Sequence, residues 1–211
     1  SIINGDLNLD YSEIKSSNLA SKNFLNSLQF DVLINDSKIV STDVGQLFSS
    51  FETNYKETWI VKLEISGYLN DLEIRKWFLS NKKNNIELNC KITNILDKDY
   101  SLIFDILEFN VDSKEINKAF PNFFGSILPS SLRSFGRFNI DGLISVNPDD
   151  VKSKFNFQTK QGLIISDLNI FDFKNIDNAS YIGEIKGVNL DLSSFLNLNY
   201  ITKSDFNFKV E

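Results

Sequence analysis

The chain has 211 residues, long enough to bury a real core in one large domain or two small ones, and with 42% apolar and 24% charged residues it is not a disordered polymer. A net charge of −6, with arginine only at Arg75, Arg133 and Arg137, argues against a nucleic-acid partner. The lack of histidine removes the Ser-His-Asp and Cys-His nucleophile arrangements, the His-Glu-x-x-His zinc site and most transition-metal cages.

Strand side chains point to alternate faces, so apolar residues at every second position mark a strip with one apolar side. From the N-terminus such strips run through Ile3, Leu7, Leu9 and Tyr11, then through Leu28, Phe30, Val32 and Ile34. "IVSTDVGQLF" (39 to 48) changes the period: a strand end is followed by a serine, an acid and apolar residues at helical spacing. Alternation resumes at Trp59, Val61, Leu63 and Ile65 and passes "ISGYLNDLEIRKW". It continues through Ile86, Leu88, Cys90 and Ile92, then Leu102, Phe104 and Ile106. Cys90 takes an apolar position in "ELNCKIT", which makes it a buried structural thiol and not a nucleophile.

"VDSKEINKAF" (111 to 120) superposes on the first helical phrase without gaps. Phe120, Phe123, Phe124, Ile127 and Leu128 then predict a short one-faced helix, which Pro121 can open and Pro129 ends. Leu132 and Phe135 extend its apolar side before Gly136. The strips return at Phe138, Ile140, Ile144 and Val146, at Phe155 and Phe157, at Leu168 and Ile170, and at Phe206, Phe208 and Val210. Between them "NPDD", with Asp149 and Asp150 behind Pro148, has turn chemistry. "VNLDLSSFL" (188 to 196) is a weaker third copy of the helical phrase. The copies recur at roughly 75 residues, with Gly67 and Gly142 at corresponding places. One continuous domain over 1–211 is therefore expected, in units of about 1–56, 57–134 and 135–211. The chain begins at Ser1 and holds no methionine, which suggests a processed product or a piece of something longer, with any membrane anchor outside it.

An antiparallel sheet with one greasy side must bury it, and helical sequence is too scarce here to cover so many strands. Either the sheet closes on itself as a sandwich or barrel, or it bends into a trough open to an apolar cargo. Alternation alone leaves both standing. The phrases "IVSTDVGQLF", "VDSKEINKAFPNFFG", "FGRFNIDGLISV" and above all "NIDNASYIGEIKGVNLDLSSFLN" resemble the TamB family, translocation and assembly module proteins of AsmA-like, repeating β-groove architecture. The resemblance covers nearly the whole chain.

What this resemblance implies is an all-β fold, an elongated antiparallel β-groove, or β-taco, of repeated units with short helical crossovers. It implies a middle segment of a bridge in the periplasm of a Gram-negative bacterium, anchored in the inner membrane by a segment outside the chain. Such a bridge conducts phospholipid between the inner and outer membranes and supports outer-membrane assembly. It works with an outer-membrane barrel of the Omp85 type through regions outside this chain. Exposing one acyl chain of about sixteen carbons to water costs on the order of 13 kcal/mol, so such a path needs a continuous apolar lining. The alternating set supplies the candidates: Leu63, Ile65, Leu88, Cys90, Ile92, Leu102, Phe104, Ile106, Phe138, Ile140, Ile144, Phe155, Phe157, Phe206 and Phe208. No cofactor, metal or catalytic residue is expected. The alternative is a structural or adhesive β-solenoid or sandwich with a closed core and no cargo.

Overall fold

Segments that alternate with short, turn-forming links pair with their neighbours in sequence. In the computed structural model, which describes residues 1–10, 26–47, 53–119, 121, 136–175, 177–193 and 203–210, this happens without exception. Strands β1 (Gly5–Asp10), β2 (Gln29–Val40), β3 (Thr58–Tyr68), β4 (Asp71–Ser80), β5 (Asn85–Thr93) and β6 (Ser101–Asp112) lie side by side in chain order. They are followed by β7 (Arg137–Val146), β8 (Asp150–Thr159), β9 (Gly162–Phe171), β10 (Ser180–Asp191) and β11 (Lys203–Val210). All pairs are antiparallel, and the 11-stranded sheet is open, with β1 and β11 as its edges. This topology excludes a closed barrel, and no second sheet is present among the described residues. At about 4.8 Å per strand the sheet is on the order of 50 Å wide.

The two phrases read as helical are helical: α1 (Ser41–Leu47) follows β2 and α2 (Ser113–Ala119) follows β6. Both lie at the same margin of the sheet, where every even strand gives way to the next odd one. The opposite margin carries the β3–β4, β5–β6, β7–β8 and β9–β10 links. "NPDD" forms the β7–β8 turn, closed by the Asn147 N–H donating to the Asp150 carbonyl at 2.8 Å. Tyr11 and the apolar positions Phe120, Phe123, Phe124, Ile127, Leu128, Leu132 and Phe135 lie outside the described residues.

Phase is kept across the sheet by bulges. The register slips between Ile34 and Ser37 on β2, Ile74 and Trp77 on β4, Ile106 and Phe109 on β6, and Gly187 and Leu190 on β10. At each, a step of three replaces a step of two, and the apolar side chains stay on one face. Asp36 and Asn189, inside two of the bulges, have φ of 40° and 49°, a conformation that short polar side chains tolerate. Gly67 and Gly142, expected at corresponding places, both have positive φ but sit at different heights. Gly67 pairs with Phe30 and Leu72 near the end of β3, whereas Gly142 pairs with Ile106 and Phe155 in the middle of β7. A Cβ at Gly142 would strike the Lys154 carbonyl oxygen.

The sealed core is small and lies under α2. Ile116 and Ala119 of the helix are fully buried with Trp59, Val111, Phe138, Ile86 and Phe157 from five strands. Asp112 caps the helix, its Oδ1 accepting from the Lys114 N–H at 3.0 Å and the Glu115 N–H at 3.2 Å. Buried Asn84, in the β4–β5 turn, accepts from the Asp112 N–H at 2.7 Å and pins the start of α2. The β2–β3 connection is tied to the same helix. Thr53 Oγ1 donates to the Lys118 carbonyl at 2.7 Å, and the Tyr55 hydroxyl donates to Glu115 at 2.7 Å. Lys83 and Lys118 approach the other Glu115 oxygen at 3.3 and 3.6 Å.

Two outcomes follow from this packing. Phe138→Ala should lower unfolding free energy by about 3–5 kcal/mol in a urea titration, because it opens a cavity in the sealed cluster. Leu7→Ala on the exposed edge should change it by about 0.5 kcal/mol or less. The second outcome concerns pH. The Tyr55 hydroxyl, and after it Lys83 and Lys118, hold the Glu115 carboxyl below its ordinary 4.5, while Glu115 and burial push Tyr55 up to about 12. The lower pKa belongs to the folded state, so the Glu115 contribution is complete above about 4.5 and is lost as pH falls through the folded value. Glu115→Gln should therefore flatten the loss of stability between about pH 6 and pH 3, and an unchanged slope would refute the role given to this contact.

Candidate functional site

The cross-strand partners assemble the apolar positions into rows that run perpendicular to the strands. One row reads Ile34, Leu63, Trp77, Leu88, Ile106, Gly142, Phe155, Ser166, Ile185 and Phe208. The next reads Val32, Ile65, Ile74, Cys90, Phe104, Ile144, Ser153, Leu168, Gly183 and Val210. On the other side of the first run Ser37, Val61, Leu79, Ile86, Phe109, Ile140, Phe157, Ile164, Gly187 and Phe206. Nearer the hairpin margin, Leu72, Ile92, Leu102 and Val146 begin a further row. No charged residue takes a paired position in these rows. The polar entries are small, and Ser37 is satisfied within the fold, accepting from the Asn4 N–H at 2.8 Å and donating to the Asn4 carbonyl at 3.1 Å.

All fifteen residues singled out from the sequence fall on this face. They do not share one environment. Phe138, Phe157 and Cys90 are buried at 1%, 5% and 4% exposure, and the first two belong to the cluster under α2. These two are closed-off core, because the helix lays Ile116 and Ala119 over that end of the face. Leu88, Ile140 and Phe155 are half-buried and pack against the cluster. Leu63, Ile65, Ile92, Leu102, Phe104, Ile106, Ile144 and Phe206 are half-buried away from it, and Phe208 on the edge strand is 61% exposed. Burial pushes the Cys90 thiol up, the opposite of what a reactive cysteine needs.

Several members of the face escape a step-two reading. Ile74 and Trp77, and likewise Ile106 and Phe109, are three apart because a bulge lies between them. Leu79, Ile164 and Ile185, which the sequence reading did not single out, also belong to it. For the bulged strands the signal is a break in the alternation, such as the polar pairs Asn35-Asp36 on β2 and Arg75-Lys76 on β4.

The other face is wet and carries cross-strand polar pairs. Asn156 Nδ2 donates to Asp141 at 2.8 Å, Asn207 Nδ2 donates to Glu184 at 2.6 Å, and Lys154 pairs with Asp167 at 3.1 Å. A hollow of about 520 Å³ opens on this polar side, walled by Asp105, Asp141, Leu143, Lys154, Asp167 and Glu184 and floored by the backbone around Gly142 and Ser166. Among the described residues no group of His, Cys, Asp or Glu is arranged to hold a metal ion. No described helix is long and apolar enough to cross a membrane.

The arrangement is therefore a broad, uncharged, partly solvated apolar face, sealed at its helix margin and closed also at Cys90. It can hold hydrocarbon by contact; among the described residues it presents no aligned acid, base or nucleophile on that side. No protein-family model, curated protein or solved structure matches the chain, so the likeness to the TamB family rests on the sequence phrases alone.

Proposed function

We propose that the apolar face binds the acyl chains of phospholipid, and that the chain is one stretch of a groove conducting lipid between two membranes, as its resemblance to the TamB family implies. The observation that carries this reading is the set of rows: mostly apolar side chains, interrupted by glycine and serine alone, in register over ten strands, free of charge and for the most part incompletely buried. Rows of this kind offer a hydrocarbon chain similar contacts at each strand, about 4.8 Å apart, so no step along the sheet requires exposing it to water. The lack of fixed charges keeps the wells shallow. Recurrence of a twelve-residue strand and a seven-residue helix at β2–α1 and β6–α2 supports a design that lengthens by repetition.

In this role the bridge spans the periplasm, the anchor lies outside the chain, and contact with an Omp85-type barrel is made elsewhere. A purely structural sheet is the alternative, and the cluster around Trp59 and Phe138 favours it locally. That cluster covers the helix margin only.

Phe104 discriminates between the two. It lies in the middle of a row, between Cys90 and Ile144, and outside the sealed cluster. A photo-crosslinking side chain at position 65 or 104 should capture phospholipid in a Gram-negative host. Phe104→Asp should reduce capture at position 65 by about tenfold or more while leaving circular dichroism unchanged, because a solvated face can hydrate the carboxylate. Ile140→Asp, against the cluster, should unfold the protein instead. Unfolding by Phe104→Asp, or no lipid at either position, would defeat the proposal.

A further inference from the structure

The two edges of the sheet differ in what they offer a further strand. An edge strand presents unpaired backbone N–H and C=O groups, a template for pairing that proteins blunt with charge or cover with other chain segments. On β1 the charged residues are acids only, Asp6 and Asp10. No register of β1 against itself therefore sets opposite charges together, and centring the pair on Asn8 sets Asp6 against Asp10 twice.

The other edge, β11, is built differently. It reads KSDFNFKV from Lys203 to Val210, with Asp205, Asn207 and Lys209 on the polar side and Phe206, Phe208 and Val210 on the apolar side. Phe208 and Val210 are exposed. The Phe206 ring leans back over Gly187 of β10 and meets the Phe208 ring at 5.0 Å between centroids. Lys209 is exposed and forms no ion pair among the described residues. Asp205 accepts at Oδ1 from the Asn189 N–H at 2.6 Å and likewise forms no ion pair among them.

We infer that β11 is a self-recognition edge through which two copies of this chain join into one continuous sheet. Two copies paired antiparallel with their apolar sides in common are related by a two-fold axis normal to the sheet, so the axis passes between two identical residues. With the axis at Asn207, Asp205 of each copy faces Lys209 of the other, Phe206 faces Phe208, and Asn207 faces itself. Opposite charges and aromatic rings directly across from each other are the cross-strand combinations that stabilise sheets. Neighbouring registers lose them. An axis at Phe206 sets Lys203 against Lys209, and an axis at Phe208 sets Lys209 against Asn207. In the favoured register the apolar row ending in Phe206 on one copy meets the row ending in Phe208 on the other, so the oily side runs across the seam. A single strand edge is a smaller contact than a standard interface, so the dimer is weak and concentration-dependent. The assignment stands whether or not the face carries lipid.

The test is sedimentation equilibrium of the full chain between about 1 and 500 µM, a range that spans weak association. A monomer–dimer equilibrium is expected. Lys209→Glu sets an acid against Asp205, and Asp205→Lys sets a base against Lys209, so each alone should weaken dimerisation about tenfold or more. Mixed in equal amounts, the two variants face each other with opposite charges at both pairs and should dimerise again. Asn207→Cys reports the register. Cross-strand Cα atoms lie about 4.5–5.5 Å apart, within disulfide reach, so mild oxidation should link two copies at position 207, whereas Asn8→Cys on β1 should stay unlinked. A chain that remains monomeric at the highest concentration overturns the inference. So does a dimer indifferent to both charge changes, an oligomer series that does not stop at two, or linkage through position 8 in place of 207. Circular dichroism checks folding; if Asp205→Lys unfolds through loss of the Asn189 contact, Lys209→Glu and the Asn207→Cys linkage decide.

Discussion

A side chain that slips by one residue along a strand changes face, and in a sheet of a single layer such a slip would put charge among the hydrocarbon. The whole structure depends on avoiding that slip over eleven strands. It does so by absorbing extra residues in bulges on β2, β4, β6 and β10, each of which shifts the register without reversing the faces. Bulges also sharpen the local right-handed twist, so the device that preserves the apolar rows bends the surface they form.

Cover for the apolar face is supplied unevenly. One short helix, α2, seals the end where Trp59, Val111 and Phe138 meet, and it is held there by an aspartate cap, a buried asparagine and the Tyr55–Glu115 contact. Away from it the face is lined but not closed. An ordinary globular domain would place a second layer there. The proposed acyl chains would take that layer's position and recover its hydrophobic stabilisation, coupling cargo to stability through mass action.

Much of this was legible in the sequence. Alternation located the strands and put Leu63, Phe104, Ile140 and the other candidates on a common face, and a serine followed by an acid marked where β2 and β6 turn into helices. Other features were hidden for physical reasons. A bulge is an insertion in register, visible only against a partner strand, so Trp77 and Phe109 fell out of phase with Ile74 and Ile106. The separation of Phe138 and Phe157 from the rest of the face depends on where α2 lands, a long-range fact that periodicity does not encode. The equivalence drawn between Gly67 and Gly142 failed for the same reason: equal spacing along the chain became unequal height in the sheet.

Strand number has a geometric corollary. With eleven antiparallel strands, β1 and β11 run in the same direction. A second copy shifted along the sheet axis would bring β1 alongside β11 in parallel and break the ladder pattern. Antiparallel growth with the oily side kept in common demands a newcomer of reversed polarity: a twelfth strand in chain order, or an identical edge related by a two-fold axis normal to the sheet. Parity alone thus sorts the ways this ribbon can lengthen.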